Sequence, residues 1–469
     1  MAISRRSFLI GAGSIGVGAA AVGGYLLSRD GKILFDDKTY AMPITTDHTL
    51  PDQVDVAVIG GGLAGIITAL ELAQKGISVA VFEKGKVAAE QSSRAFGWVS
   101  SAGDLGPTLA LSHQSKDFWH KINQRIEADT SYRMIGSTTF LLTDEQIAEQ
   151  EQWIKQAKQE ADIDAKIITG AKLKERLGGP TATDWKAAIY QETDGGLEPP
   201  IAGPTLAEYA RSIGVKIYQD CAVRGIETSG GKVSAVVTEK GTVLCDAAVV
   251  AGGMWSRRFL GNLDISIPQL GLFSSVQSVK ADKPGPLGVG SAGNAAWRQQ
   301  VDGEYSVSYV SPMSPIVPDS FKLFPEFFGT LLDYFDTVDL DLSNDFIKTA
   351  QMATSWDNDE MTPFEKLRVF NIRADERKLE ESVRHMEEEF QNMAGAKVTK
   401  KWGGYIDATP DSVPIIDEVD AIPGLFICTG FSGHGLAMIP AASKLTADLI
   451  TGDQPMVDPS HYALARFSA

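Results

Sequence analysis

The segment from Val54 to Glu83 constrains the fold more than any other stretch of the chain. Val54–Ile59 is a near-continuous apolar run, the pattern of a parallel strand buried on both faces. It leads into Gly60-Gly61-Gly62-Leu63-Ala64-Gly65. Gly60 permits a tight turn, Gly62 lets a pyrophosphate approach the backbone, and Gly65 lets helix and strand pack closely. Leu63 and Ala64 open a helical pattern that runs to Lys75, and Gly76 closes it. A second apolar strand, Ser78–Phe82, ends at Glu83. A carboxylate at that place accepts hydrogen bonds from a free ribose 2′-hydroxyl and repels a 2′-phosphate. Strand, glycines, helix, strand and terminal acid together predict a Rossmann-type dinucleotide site. The unit alone does not decide between NAD and FAD.

The 469 residues exceed what one hydrophobic core organises, so two or three domains are expected. A net charge of −17 opposes a nucleic-acid partner, which needs a basic surface, and opposes broad adhesion to anionic lipid. Cys221, Cys245 and Cys428 are far apart and form no paired motif, and the six histidines include no H-E-x-x-H. No metal site is expected.

Ser4-Arg5-Arg6-Ser7-Phe8-Leu9 precedes an uncharged run from Phe8 to Ser28. Paired arginines before an apolar stretch fit a twin-arginine export signal. The run is long enough to cross a hydrocarbon core as one helix, and no clear A-x-A cleavage site precedes Arg29. Residues 1–29 are therefore read as an uncleaved inner-membrane anchor, leaving the rest on the periplasmic side. A removed signal is the alternative. Residues 30–52 form a polar linker.

Further segments carry a family resemblance. Glu90-Gln91-Ser92-Ser93-Arg94 looks like the loop that meets pyrophosphate and isoalloxazine in the D-amino-acid-oxidase-like flavoproteins. Cys221-Ala222-Val223-Arg224-Gly225 resembles their adenine-side strand, and Val249 to Ser256, with Gly252, Gly253 and Trp255, their turn beneath the dinucleotide. Trp402-Gly403-Gly404, Thr409-Pro410-Asp411 and Gly430-Phe431-Ser432-Gly433-His434-Gly435 resemble the loops beside the flavin ring. Within that superfamily the chain is most similar to the membrane-bound bacterial L-amino acid deaminases. It shares with them the leader, Glu83-Lys84-Gly85, Thr130-Ser131-Tyr132-Arg133, Val237 to Gly241 and Pro363 to Lys366. The likeness is nearly collinear from Ile3 to the C-terminus.

The resemblance implies FAD as cofactor, with Lys84, Gly97 and Leu436 joining the residues above around it. It implies an α/β FAD-binding domain built from 53–105, 195–262 and 401–456, and an α+β substrate domain from 106–194 and 263–400. That second domain would have a mixed sheet and a small helical insertion at 321–373. The insertion carries Phe321, Leu323, Phe324, Phe327, Phe328, Leu331, Leu332, Tyr334 and Phe335. These form either a membrane-touching patch or a face packed on the substrate domain.

The family's reaction is oxidation of an amino acid at its CH–NH group, giving an oxo acid and ammonia, with electrons passed to a membrane quinone or cytochrome. The chain departs from the deaminases where substrate binds. Their carboxylate-binding arginine aligns with Val310, and Arg298 is read as structural. His434 stands for tryptophan, Tyr405 for a small apolar residue and Trp98 for glutamine, while Gln277 matches. Tyr405, His434, Gln277 and Trp98 are the expected substrate-side residues. The missing arginine keeps two other readings open: oxidation of a secondary amine, N-methyl amino acid or polyamine derivative, and a flavoprotein that assists a partner protein.

Overall fold

A computed structural model of the chain describes residues 31–35, 38–334, 338–341 and 343–467. The expected leader and anchor lie outside the described residues, as does Phe335. Among the described residues no helix is long and apolar enough to cross a membrane.

Two sheets dominate. In the first, strand Gln53–Ile59 lies between Val79–Phe82 and Gly241–Val250, all parallel, with Lys216–Tyr218 beyond Val79–Phe82. Leu425–Thr429 adds a further parallel partner to Gly241–Val250, and Lys232–Thr238 and Val223–Ser229 continue the sheet antiparallel. Alternation along Gln53–Ile59 sends Val56 and Val58 into one core and Ala57 and Ile59 into another, so both faces are buried. Helices Leu63–Gln74, Pro199–Ser212 and Gly435–Thr451 cover the first face through Ile66, Leu70, Leu206, Met438 and Leu445.

The second sheet is the expected mixed one. Its long strand Leu270–Lys280 pairs antiparallel with Tyr305–Tyr309 on one side and Lys397–Ala408 on the other. Phe140, Trp297, Val307, Phe390 and Met393 fill its core. Two boundaries differ from expectation. Helix Gly106–Arg125 places Leu111 and Trp119 in the core of the first layer, because its apolar face meets helix Gly435–Thr451. Strand Lys397–Ala408 belongs to the second sheet, and the chain enters the first only at Ile415–Glu418.

The segment 321–373 is helical at Phe324–Tyr334, Asp345–Ala350 and Pro363–Lys366. It is also sewn into the fold by two strands, Asp339–Asp341 against Met313–Pro315 and Phe370–Ile372 against Ile33–Phe35. Leu323 is buried, whereas Phe321 and Phe328 are exposed.

Candidate active site

The glycine loop forms as its spacing requires. Gly60 has φ +112°, and a Cβ on Gly65 would collide with the carbonyl oxygen of Gly60. The helix from Leu63 begins with no side-chain cap on its N-cap residue Gly62, and the Leu63 amide donates to Ser92 Oγ at 2.9 Å. Glu83, at the end of its strand, accepts from the amide of Gly61 at 2.8 Å and of Gly85 at 2.7 Å. Burial raises its carboxyl above the usual range, while Lys84 and these two amides pull it down. Glu83 therefore shapes the loop as well as facing the cavity.

The second loop is held by long-range polar contacts. Gln91 accepts from the Met254 amide at 2.9 Å and donates to Asp407 Oδ1 at 2.9 Å. Glu90 accepts from Trp255 Nε1 at 2.8 Å and pairs with Lys84, whose ammonium lies 4.7 Å over the Trp255 ring. Asp407 also accepts from the Gly430 amide at 2.9 Å, Gln269 Nε2 at 3.2 Å and Thr429 Oγ1 at 3.3 Å. This buried carboxylate ties three loops together with neutral donors.

A cavity of about 460 Å³ runs from the glycine loop and Glu83 to Trp98, Tyr405 and His434. Of the residues expected to hold the cofactor or face the substrate, all line it except Gly65, Ser93, Gly430 and Gln277. Gly65 lies at the helix–strand contact, Ser93 turns its hydroxyl to the Glu90 carbonyl, and Gly430 serves Asp407. Gln277 overturns its expectation. Strand alternation turns Ser274 and Val276 to the cavity, while Gln277 Nε2 donates to Leu379 O at 2.6 Å beneath helix Glu376–Glu389. Cys428 also lines the cavity, but burial pushes its thiol up to about 12, so it stays protonated.

Tyr405 sits opposite Phe273 in the second sheet, its ring packed over Gly271, where a Cβ would clash, and edge-on to Phe370 at 5.2 Å. Burial raises its phenol, so Tyr405 is a neutral donor. His434, exposed to the cavity, is the N-cap residue of helix Gly435–Thr451. Val310 is 53% exposed and off the cavity. Arg298 is structural as expected: its guanidinium forks onto Glu198 at 2.7 and 2.9 Å and its Nε donates to Phe96 O.

The sequence reading missed Asp407 and Ser100. Asp407 shares a strand face with Tyr405 two residues earlier, a signal that period-two alternation provides once the strand is known. The residues present fit FAD: a helix start with glycine at its N-cap, an end-of-strand carboxylate and the Gln91 loop share one cavity.

Comparison with known proteins agrees. A family model described as DAO, FAD dependent oxidoreductase, matches residues 55–449. The L-amino acid deaminase from Proteus myxofaciens, solved in complex with anthranilate, is 39% identical with a TM-score of 0.90, covering 94% of this chain and 99% of its own. The L-amino acid deaminase from Proteus vulgaris is 36% identical with a TM-score of 0.87, covering 91% and 100%. A glycine oxidase of Pseudomonas putida is 26% identical over 87% of this chain and 97% of its own.

Proposed function

The chain belongs to the DAO family of FAD-dependent oxidoreductases, which act on CH–NH groups, and from that premise we propose that it deaminates an amino acid oxidatively. FAD, when bound, supplies the two-electron acceptor. The observation that carries the reading is the single cavity joining Glu83 and the glycine loop to Tyr405 and His434.

The chain's residues have three tasks there. The amides at the start of helix Leu63–Gln74, with Glu83 and Gln91, hold the dinucleotide. Trp98, Val276, Ile406 and Phe431 give the far end apolar walls that exclude water. Tyr405, on the strand face opposite Ser274 and Val276, packs its neutral phenol ring against Phe370 and closes that side of the cavity. An amine that enters neutral needs no protein base: its lone pair assists departure of the α-hydrogen with both electrons, and the imine left behind is hydrolysed by water to an oxo acid and ammonia. The position of Val310, which leaves the cavity without the deaminases' arginine, favours a second reading, oxidation of a secondary amine. The leader at Ser4–Leu9 and the apolar run behind it support delivery of electrons to a quinone or cytochrome of the inner membrane.

The test is ammonia release from a panel of amino acids and secondary amines with an artificial electron acceptor. Ammonia from a primary amino acid supports deamination. Acceptor reduction by secondary amines without ammonia supports the second reading, and no turnover by any amine contradicts both.

A further inference from the structure

The far end of the cavity offers hydrogen-bond acceptors backed by buried negative charge. Ser100 lines it, and its Oγ donates to Asp194 Oδ2 at 2.5 Å while accepting from the Ala102 amide at 3.0 Å. Ser308 lines it too, and its Oγ donates to the carbonyl of Ser275 at 2.9 Å. A hydroxyl has one proton to give. The Ser100 proton is committed to Asp194, so toward the cavity that oxygen can only accept, while Ser308 Oγ also reaches Ser274 Oγ at 3.5 Å.

Behind Ser100 lies a polar cluster that the proposed reaction does not use. Asp194 is 0% exposed and also accepts from Ser137 Oγ at 2.5 Å and Gln191 Nε2 at 3.0 Å. Its other oxygen pairs with Lys116 at 2.5 Å, and Lys116 is 8% exposed. Asp104 is 5% exposed, and its Oδ2 has no hydrogen-bond partner. Lys116 pairs with Asp194, and Asp104 is a second buried carboxyl behind the wall. Burial is the first cause raising the Asp104 carboxyl, and His434, on the cavity wall, opposes it. A cation arriving beside Ser100 meets the Asp194 carboxylate through the Ser100 hydroxyl, with Lys116 held on the carboxylate's other oxygen.

Apart from Lys116, paired with Asp194 behind the wall, no guanidinium or ammonium lies at that end among the described residues. The cations on the wall belong to the dinucleotide side and are engaged: Lys84 with Glu90, Lys86 with Asp220, and Arg94 with the carbonyls of Ala89 and Gly403.

We propose that this end of the cavity receives a second, cationic nitrogen of the substrate, so that the substrate carries an ammonium or guanidinium group besides the C–N bond it loses hydrogen from. The nitrogen at the oxidised bond must be neutral to assist loss of the hydrogen, and a negative field stabilises its protonated form instead. The field therefore suits a different nitrogen on the same molecule. Basic amino acids and diamines share this chemistry. The inference rests on the amine-oxidising reading above.

The FAD-loaded full chain tests it by anaerobic reduction of its flavin with matched pairs: L-lysine against L-norleucine, and 1,4-diaminobutane against n-butylamine. The cationic member of at least one pair should reduce the flavin at about tenfold lower half-saturating concentration, the factor that a modest charge interaction gives. The responding pair tells whether an α-carboxylate is required. Asp194→Asn should collapse that preference while FAD content holds. Ser100→Ala should lower it too and serves if Asp194→Asn does not fold. Neutral members that equal or surpass the cationic ones, or a preference that survives in Ser100→Ala, overturn the inference and leave amine oxidation standing. A flavin that no amine reduces removes the amine-oxidising reading itself.

Discussion

Gln91 donates its side-chain nitrogen to Asp407 at 2.9 Å, joining residues 316 positions apart in sequence beneath the cavity. Burial is the first cause holding the Asp407 carboxyl above the usual range, with the Gly430 amide and Gln91 opposing. A raised folded value favours the protonated form, so this contribution to stability is complete below the free value of 3.8 and is lost as pH rises through the folded value. Asp407→Asn removes the titration. The slope of Tm against pH should flatten across that window in the FAD-loaded protein, and superimposable slopes would contradict the assignment.

Glycines in one loop should fail differently. A side chain on Gly62 meets only Ser92 Oγ, at 3.2 Å, and otherwise fills the cavity's edge, whereas one on Gly65 meets backbone. Gly62→Val should purify folded but without flavin. Gly65→Ala should lower the unfolding temperature with or without added FAD. Equal flavin content in Gly62→Val and wild type would sink the pyrophosphate assignment.

Glu83→Gln keeps the side chain's size while removing its charge. FAD affinity should weaken by about 1–3 kcal/mol, the scale of a charge-assisted hydrogen bond. Because Glu83 also accepts from Gly61 and Gly85, the apoprotein should lose stability as well. Titration of apoprotein with FAD, alongside its melting curve, separates the two effects.

Arg298→Met breaks a pair with Glu198 in which the arginine is 3% exposed and the glutamate 14%. Removing one partner of a buried pair costs about 3–5 kcal/mol. Denaturant unfolding should register that loss while KM for the best amine stays within about twofold of wild type, a change well under the 1.4 kcal/mol that a factor of ten represents. A large rise in KM with normal stability would instead make Arg298 a substrate ligand.

The glycine unit was legible because its signals are local: strand, turn, helix and acid lie within one run of sequence. The substrate side was less so. Gln277 matched the family letter for letter, yet the pleat of strand Leu270–Lys280 turns it under a helix, and no single-residue match reports which face a strand presents. Asp407 and Asp194 gain their meaning from partners far along the chain, Gln91 and Ser100, the latter brought beside Asp194 by pairing of Trp98–Val99 with Gly195–Gly196. The proposed leader at residues 1–29 is tested by fractionation. Its removal should shift the protein from the membrane to the soluble fraction with flavin intact, and a truncated protein that stays membrane-bound would point to the exposed Phe321 and Phe328 instead.

The most direct measurement is a stoichiometric one: anaerobic titration of the purified, FAD-loaded protein with its best amine, following flavin absorbance and analysing the quenched products. Amine oxidation predicts complete bleaching by one equivalent of amine per FAD, with one equivalent of carbonyl product. Carbonyl product formed without bleaching, or a flavin that amines leave fully oxidised, would contradict it.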